Sequence, residues 1–350
     1  MQAPNKKFWK NKRVLITGNT GFKGSWLSIW LDLLGAEISG ISLPAITKPN
    51  LFTEAKISNL MHTDFIDIRD NSKILSAIES FQPEIVFHLA AQALVRESYR
   101  DPLYTFSTNI IGTANILDTF RKVSSIKTFV IITTDKVYEN LEKGVPFLEG
   151  DRLGGIDPYS SSKAASEIVI NSYRSSYASD KDNISIASAR AGNVIGGGDW
   201  SQDRLIPDAM KAWNLDQEIL IRSPSSTRPW QHVIEPLFGY LILAEKLYDC
   251  KELEGAYNFG PNPDEVALVK DVITKAHKFF GKGSIAWRDE RDGPYESKWL
   301  SLNVDKAKES IGIKQKWKLD ASIEKTINWY REYYSGSDAR ELCQRDIESI

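Results

Sequence analysis

Along the first half of the chain, short apolar runs alternate with longer stretches in which apolar residues return every three or four positions. Val14, Leu15 and Ile16 make a run too brief for a helix, stopped by glycines, so residues 12–17 are predicted to form a buried strand. Trp26, Leu27, Trp30, Leu31 and Leu34 then fall at helical spacing across 24–34. Residues 36–43 read as a second strand and 44–50 as a loop. A helix follows over 70–81, capped by Asp70 or Asn71 and turning Ile74, Leu75 and Ile78 inward. Further strands are predicted at 85–89, 128–134 and 184–191, with a helix over 108–122 between the first two.

Strands alternating with helices predict an α/β fold with a doubly wound parallel sheet covered on both faces. After Ala191 the texture changes. Residues 192–203 are rich in glycine, and 222–230 are dense in Arg, Ser and Pro. Helical spacing returns at 234–248, 266–280, 303–311 and 321–334, with a strand at 256–260. The predicted division is a nucleotide-binding domain over 1–192, with returns from about 232 to 262. A smaller, mostly helical part covers 193–231 and 263–350.

With 350 residues, 42% of them hydrophobic, the chain can bury a substantial core. A formal net charge of -2 gives no electrostatic case for nucleic acid or an anionic membrane as partner. No apolar run approaches the ~18 residues of a membrane span, and the N-terminus lacks the apolar core of a signal peptide. Cys250 and Cys343 alone make no disulfide framework, and a reducing cytoplasm is the expected setting. The four histidines carry no metal-ligand spacing, so no metal is expected.

Gly18-Asn19-Thr20-Gly21-Phe22-Lys23-Gly24 joins the first strand to the first helix. Glycines there permit a tight turn and let backbone approach a pyrophosphate at the positive end of the helix. The spacing departs from the standard dinucleotide fingerprint. An acidic residue expected about 20 positions on, to hold the ribose, is also missing: Gly40-Ile41-Ser42-Leu43 offers a serine. Without an arginine for a 2′-phosphate, NAD is favoured over NADP.

Thr133-Thr134-Asp135-Lys136 leaves the 128–134 strand, and Asp157-Pro158-Tyr159 opens a helix, with Asp157 as N-cap and Pro158 at its first position. Tyr159 and Lys163 lie one turn apart on one face. A glycine turn, a hydroxyl and Tyr-x-x-x-Lys, in that order, resemble the extended short-chain dehydrogenase/reductase superfamily. The run Thr133–Asn140 resembles, within it, the CDP-glucose 4,6-dehydratase family, where lysine replaces the glutamate of other dehydratases. Arg190–Trp200, Asp203–Pro207, Arg228–Val233 and Tyr257–Pro261 carry the same resemblance, which spans nearly the whole chain from about Trp9.

The resemblance implies a Rossmann-type sheet with a helical substrate-binding domain, and a bound NAD contacted by Gly18 to Gly24, Asp67, Ile68, Ala90, Ala91, Gln92, Asn109, Tyr159 and Lys163. It implies that Tyr159 exchanges the proton of a sugar hydroxyl, with Lys163 and the cofactor's charge lowering its pKa from about 10, while Thr134 bonds the same oxygen. Asp135 would be the acid and Lys136 the base of a water elimination. Asp135 must then stay protonated near neutral pH, which requires desolvation or a nearby negative charge; pairing with Lys136 would oppose it. Apart from the resemblance, this dipeptide reads as a strand-end turn with a solvated lysine.

Ser98, Asn193, Arg204, Leu205, Arg222, Arg228 and Arg291 are the expected substrate contacts, the arginines clamping a diphosphate through their planar forks. Arg288 belongs to the same basic segment as Arg291. Each arginine alone reads equally as a surface residue. The implied substrate is CDP-glucose, and the implied product is a 4-keto-6-deoxy sugar nucleotide for deoxysugar and O-antigen synthesis. Alternatives are an epimerase, a dehydratase of another nucleotide sugar, and a silent nucleotide-binding protein. In related enzymes the helices at 108–122 and 158–177 pair between subunits, so a homodimer or dimer of dimers is expected, with Ile168 and Tyr173 as contact candidates.

Overall fold

Alternation along each short strand decides which side of the sheet its residues feed. The structure, a computed structural model, describes residues 3–179, 183–288 and 299–350. In β1 (Arg13–Thr17), Val14 and Ile16 enter one core while Leu15 enters the other. The same alternation holds in β4 (Ile85–His88) and β5 (Thr128–Ile132): Phe87 and Val130 go one way, Val86 and Phe129 the other. A strand buried on both faces has no polar side, which is why these runs are uninterrupted.

Seven parallel strands form the sheet in the order β7-β6-β5-β4-β1-β2-β3, where β2 is Glu37–Ser42, β3 is His62–Phe65, β6 is Ser185–Ala191 and β7 is Gly255–Phe259. Chain order reverses between β1 and β4, and a doubly wound sheet opens its ligand crevice at that point, outside the carboxyl ends of the strands. On one face lie α1 (Phe22–Leu34) and α6 (Ile234–Asp249), packed through Trp26, Leu27, Trp30, Leu237 and Phe238. The other face carries α2 (Asn71–Phe81), α3 (Gly112–Asp118) and α4 (Pro158–Tyr173), with Ile74, Ile78, Ile116, Leu117 and Ile170 inward. Asp70 caps α2 by accepting the Lys73 amide N–H at 3.2 Å.

Three features differ from the sequence expectation. The strand β3 has no apolar run because it is a half-exposed edge. The 108–122 helix is part of a longer helical stretch from Pro102 to Arg121, widened into a π-turn at Ser107–Ile111 where Asn109 sits; such turns favour functional sites. The C-terminal part also contains strand pairs: Glu218–Ile221 runs parallel to Ser284–Trp287, and Thr227–Arg228 is antiparallel to Ala267–Leu268. Among its helices are α5 (Leu205–Asn214), α7 (Val269–Phe280), α8 (Leu319–Tyr334) and α9 (Ala339–Glu348).

The glycine-rich segment after β6 is held by α8. Gly197 lies so close to the Trp329 indole that a Cβ would come within 1.9 Å of it. Beside it, the Tyr330 hydroxyl donates to the Asp199 carbonyl.

Candidate active site

The turn after β1 is built from backbone. Gly18 has φ +77, and a Cβ there would sit 2.7 Å from the Ala90 nitrogen on the neighbouring strand exit. At Gly24 a Cβ would lie 2.2 Å from the Gly18 carbonyl oxygen. Gly21 is the N-cap of α1 and offers no side chain, and no acid stands in the helix's first turn. The positive end of α1 therefore faces the crevice without an internal anion.

The side chains of this turn divide. Asn19, expected at the cofactor, turns its side-chain amide inward. Its Nδ2 donates to Thr63 Oγ1 at 2.8 Å, and it packs on Gly40, where a Cβ would meet it at 2.4 Å. Thr20 shares a 2.7 Å hydrogen bond with Ser42 at the end of β2, so two hydroxyls stand where an acid was expected. Phe22 and Lys23 are half-buried. The Lys23 amine is pushed down to about 7, first by burial and then by the nearby Arg204 charge.

Across the crevice, both Asp67 oxygens accept from Arg69 at 2.6 to 3.1 Å, which holds its carboxyl below the usual range. Ile68 is buried against Gly112. Ala90 and Ala91 are half-buried at the β4 exit. Gln92 is tied down: its amide N–H donates to Asn109 Oδ1 at 2.8 Å and its side chain donates to Thr105 at 2.9 Å. Asn109 also donates to the Gln92 carbonyl at 3.0 Å and to Ser162 at 2.8 Å. It bridges the strand exit to the residue beside Lys163, using its own side chain up in doing so.

Where β5 ends, side chains take over. Asp135 is buried, with Oδ1 accepting from the Thr134 hydroxyl at 3.0 Å. Its Oδ2 has no hydrogen-bond partner among the described residues. That oxygen faces Gly192, where a Cβ would stand 2.9 Å away, so the glycine makes the space the carboxyl occupies. Burial raises the Asp135 carboxyl, against the charges of Lys136 and Arg228 and the Thr134 hydrogen bond. The feared Asp135–Lys136 ion pair does not form; Lys136 is half-buried, and its amide N–H donates to Thr134 Oγ1 at 3.3 Å.

Asp157 caps α4, accepting from the Ser160 amide N–H at 2.9 Å and the Ser160 hydroxyl at 2.5 Å. Ser98, expected at the substrate, is fully buried and engaged under this helix start. Its hydroxyl donates to the Val95 carbonyl at 2.6 Å and accepts the Tyr159 amide N–H at 3.2 Å, so it seats Tyr159. The Tyr159 phenol is pushed up to about 12 by burial, with Thr134 opposing. The lowering implied by the resemblance needs the cofactor's charge as well as Lys163. Lys163 is itself desolvated, pushed down to about 8, and spends its ammonium on the Ile132 carbonyl at 3.3 Å.

The expected arginine clamp splits as well. Arg204 pairs with the buried Asp199 at 2.8 Å, and its field reaches Tyr159 and Lys23. Arg222 pairs with Asp203 at 3.0 Å at the surface. Arg228 is buried, donates to the Thr227 carbonyl at 2.9 Å and acts on Asp135. Leu205 opens α5, and the Asn193 carbonyl accepts from the Gln231 amide N–H at 3.1 Å. The structure thus gathers Arg204, Arg228, Asn193 and Leu205 near the β5 and β6 exits and leaves Arg222 outward. Arg291 lies outside the described residues. The Asp199–Arg204 pair escaped sequence reading because ion pairs of this kind leave no periodic signal. Among the described residues, no cluster of acids, histidines and cysteines could hold a metal.

Sheet order, glycine turn and the Tyr159–Lys163 helix define the class as a Rossmann-type short-chain dehydrogenase/reductase. The chain belongs to the GDP-mannose 4,6 dehydratase family, whose sequence model matches residues 15–326. It is 42% identical over 349 residues to a CDP-glucose 4,6-dehydratase of Salmonella typhimurium, covering 98% of this chain and 97% of that one. A probable dTDP-glucose 4,6-dehydratase of Sinorhizobium fredii is 28% identical, covering 91% and 93%. Among solved structures, a UDP-glucose 4-epimerase of Thermus thermophilus in complex with NAD superposes with a TM-score of 0.78 at 24% identity, covering 91% and 99%. An epimerase of Methanothermobacter thermautotrophicus gives 0.82 at 22% identity, covering 97% and 96%. These two establish the fold.

Proposed function

We propose that the chain is an NAD-dependent hydro-lyase that converts CDP-glucose to CDP-4-keto-6-deoxyglucose. The observation that carries the reading is Asp135: a buried carboxyl, held above its usual range, with one oxygen unpartnered and Gly192 making room for it. Oxidation and return at C4, as in an epimerase, need no such acid; loss of the C6 hydroxyl does. The relative at 42% identity supplies the nucleotide and sugar.

The glycine turn and the open end of α1 would hold NAD, which when bound would supply reversible hydride storage for oxidation at C4 and reduction at C6. The cradle fits it: a side chain at Gly18 or Gly24 would meet backbone, and no acid stands in the first turn of α1 to oppose a diphosphate. Thr20 and Ser42 offer the ribose hydroxyls their partners. Tyr159 takes the proton of the 4-hydroxyl, its phenol being brought down from about 12 by the positive charge that would be bound beside it. The resulting ketone acidifies C5. Lys136 removes that proton while Asp135 gives its own to the departing C6 hydroxyl, and water leaves. Reprotonation of C5 closes the cycle with no net redox change. Arg204 and Arg228 take the substrate diphosphate, with Asn193 and Leu205 beside them; residues 193–231 and 263–350 form the sugar-nucleotide side.

The product suits deoxysugar synthesis for O-antigen in the cytoplasm; no described helix is long and apolar enough to cross a membrane. The proposed assembly is a homodimer through α4 and the helical stretch that ends in α3, where Ile168 and, in the π-turn just before α3, Ile111 are 62% and 52% exposed. Tyr173 packs on Phe120 and donates to Asp118 at 3.3 Å within the chain. Incubating the protein with CDP-, dTDP-, GDP- and UDP-linked sugars and following the 6-deoxy methyl signal by NMR tests the reading. Product from CDP-glucose is expected; turnover confined to C4 inversion would overturn it.

A further inference from the structure

Behind α4 lies a buried set of charges that the elimination does not touch. Glu167 stands one turn beyond Lys163 on the same face. Its Oε1 accepts from the Thr133 hydroxyl at 2.5 Å, and its Oε2 accepts from Ser188 at 2.7 Å and from Arg190 at 2.9 Å. Glu167 and Arg190 are each 4% exposed. Arg190 continues outward, donating to the Tyr138 hydroxyl and the Glu149 carbonyl, both at 2.9 Å, and Tyr138 donates to Asn258 at 2.6 Å.

A buried ion pair is weak as a source of stability, because well-packed apolar residues often serve the fold as well or better. This one is placed to act on chemistry instead. The groups facing Lys163 are Glu167 from its own helix, His88 from β4, Lys23 from the glycine turn and Tyr159 a turn earlier. Burial pushes His88 down to about 3, leaving it neutral, and Lys23 is a cation or a neutral amine. Glu167 is the anion of the group. It opposes the desolvation that drives Lys163 down to about 8. Through Thr133 the same carboxylate grips the residue next to Thr134 and Asp135.

We infer that Glu167 is a positioning residue: its carboxylate, neutralised from behind by Arg190, keeps the Lys163 ammonium charged one turn from Tyr159 and fixes the turn that presents Asp135. The inference rests on the dehydratase reading for its assay, and Lys163 itself provides a second readout. In Glu167→Gln the charge that sustains Lys163 is gone, so Lys163 loses its proton at lower pH. In Arg190→Gln the carboxylate is no longer offset, so Lys163 holds its proton to higher pH. The alkaline limb of kcat is expected to move in opposite directions in the two variants, by roughly one pH unit each. The Lys163 ¹³Cε signal of lysine-labelled protein without cofactor is expected to titrate with the same two shifts.

Loss of activity in both variants with the alkaline limb and the Lys163 signal unmoved, or moved the same way, would overturn the inference. Should Arg190→Gln not fold, Glu167→Gln decides: an unshifted Lys163 titration sinks the proposal. A wild-type chain without dehydratase activity defeats the functional reading and leaves the Lys163 titration as a separate test of this one.

Discussion

The exits of β1 and β5 open into one crevice and are made in opposite ways. After β1 the protein removes side chains, so that Gly18 and Gly24 pack against backbone and the end of α1 is left bare. After β5 it buries them: Asp135, Tyr159 and Lys163 are each at most 8% exposed, and each is shifted by burial. Backbone amides have no proton to lose in the working range, and at the β1 exit only the Lys23 amine is shown shifted by burial, whereas the β5 exit gathers several buried acids and amines set by desolvation. On the proposed reading, binding and chemistry are thereby separated along one sheet, and substitutions at the two exits should fail differently.

The largest expected break is at Tyr159. Tyr159→Phe should lower kcat by ~10⁴-fold while NAD still binds, as checked by stopped-flow turnover and nicotinamide fluorescence. Asp135→Asn should cost ~10³-fold in product yet permit oxidation at C4, seen as transient NADH on mixing with substrate. Lys136→Met should lose ~10²-fold and no longer incorporate solvent deuterium at C5; full turnover with label would remove it as the base. At the other exit, Gly24→Ala should weaken NAD by at least ~10-fold and destabilise the fold by ~1–3 kcal/mol, since backbone must move, with the pH profile superimposable on the parent's.

The smallest effect concerns stability. Because burial raises Asp135 in the folded state, the folded chain holds this proton where the unfolded chain has released it. Stability from this group is full below the unfolded value and is lost as pH rises toward the folded one. Asp135→Asn lacks that loss. Its melting temperature should match the parent's in acid and exceed it at neutral pH, and a variant less stable at both would contradict the burial argument.

Much of the binding exit was legible in sequence, because a strand that stops at spaced glycines before a helical pattern has few other uses. Asp157 and Pro158 announced α4 as well, since capping chemistry is local. The edge strand β3 was not legible: His62–Phe65 is half-exposed and has no apolar rhythm to read. Nor could spacing tell that Asn19 turns inward to Thr63, that Ser98 is consumed under Tyr159, or that Arg204 is held by Asp199. Those outcomes depend on which groups meet across the fold. Even the raised Tyr159 follows from depth of burial, which a Tyr-x-x-x-Lys spacing does not contain.

The grip of Trp329 and Tyr330 on the loop that carries Asp199 also sets an order of events in synthesis. All seven strands and the glycine turn have left the ribosome by Phe259, some seventy residues before this clamp is made. The strands and the glycine turn are therefore synthesised well before Arg204 is anchored. On the proposed reading, the sugar-nucleotide side is finished last. Ribosome-stalled chains ending before Leu319 provide the check: NAD binding without substrate binding is the expected result.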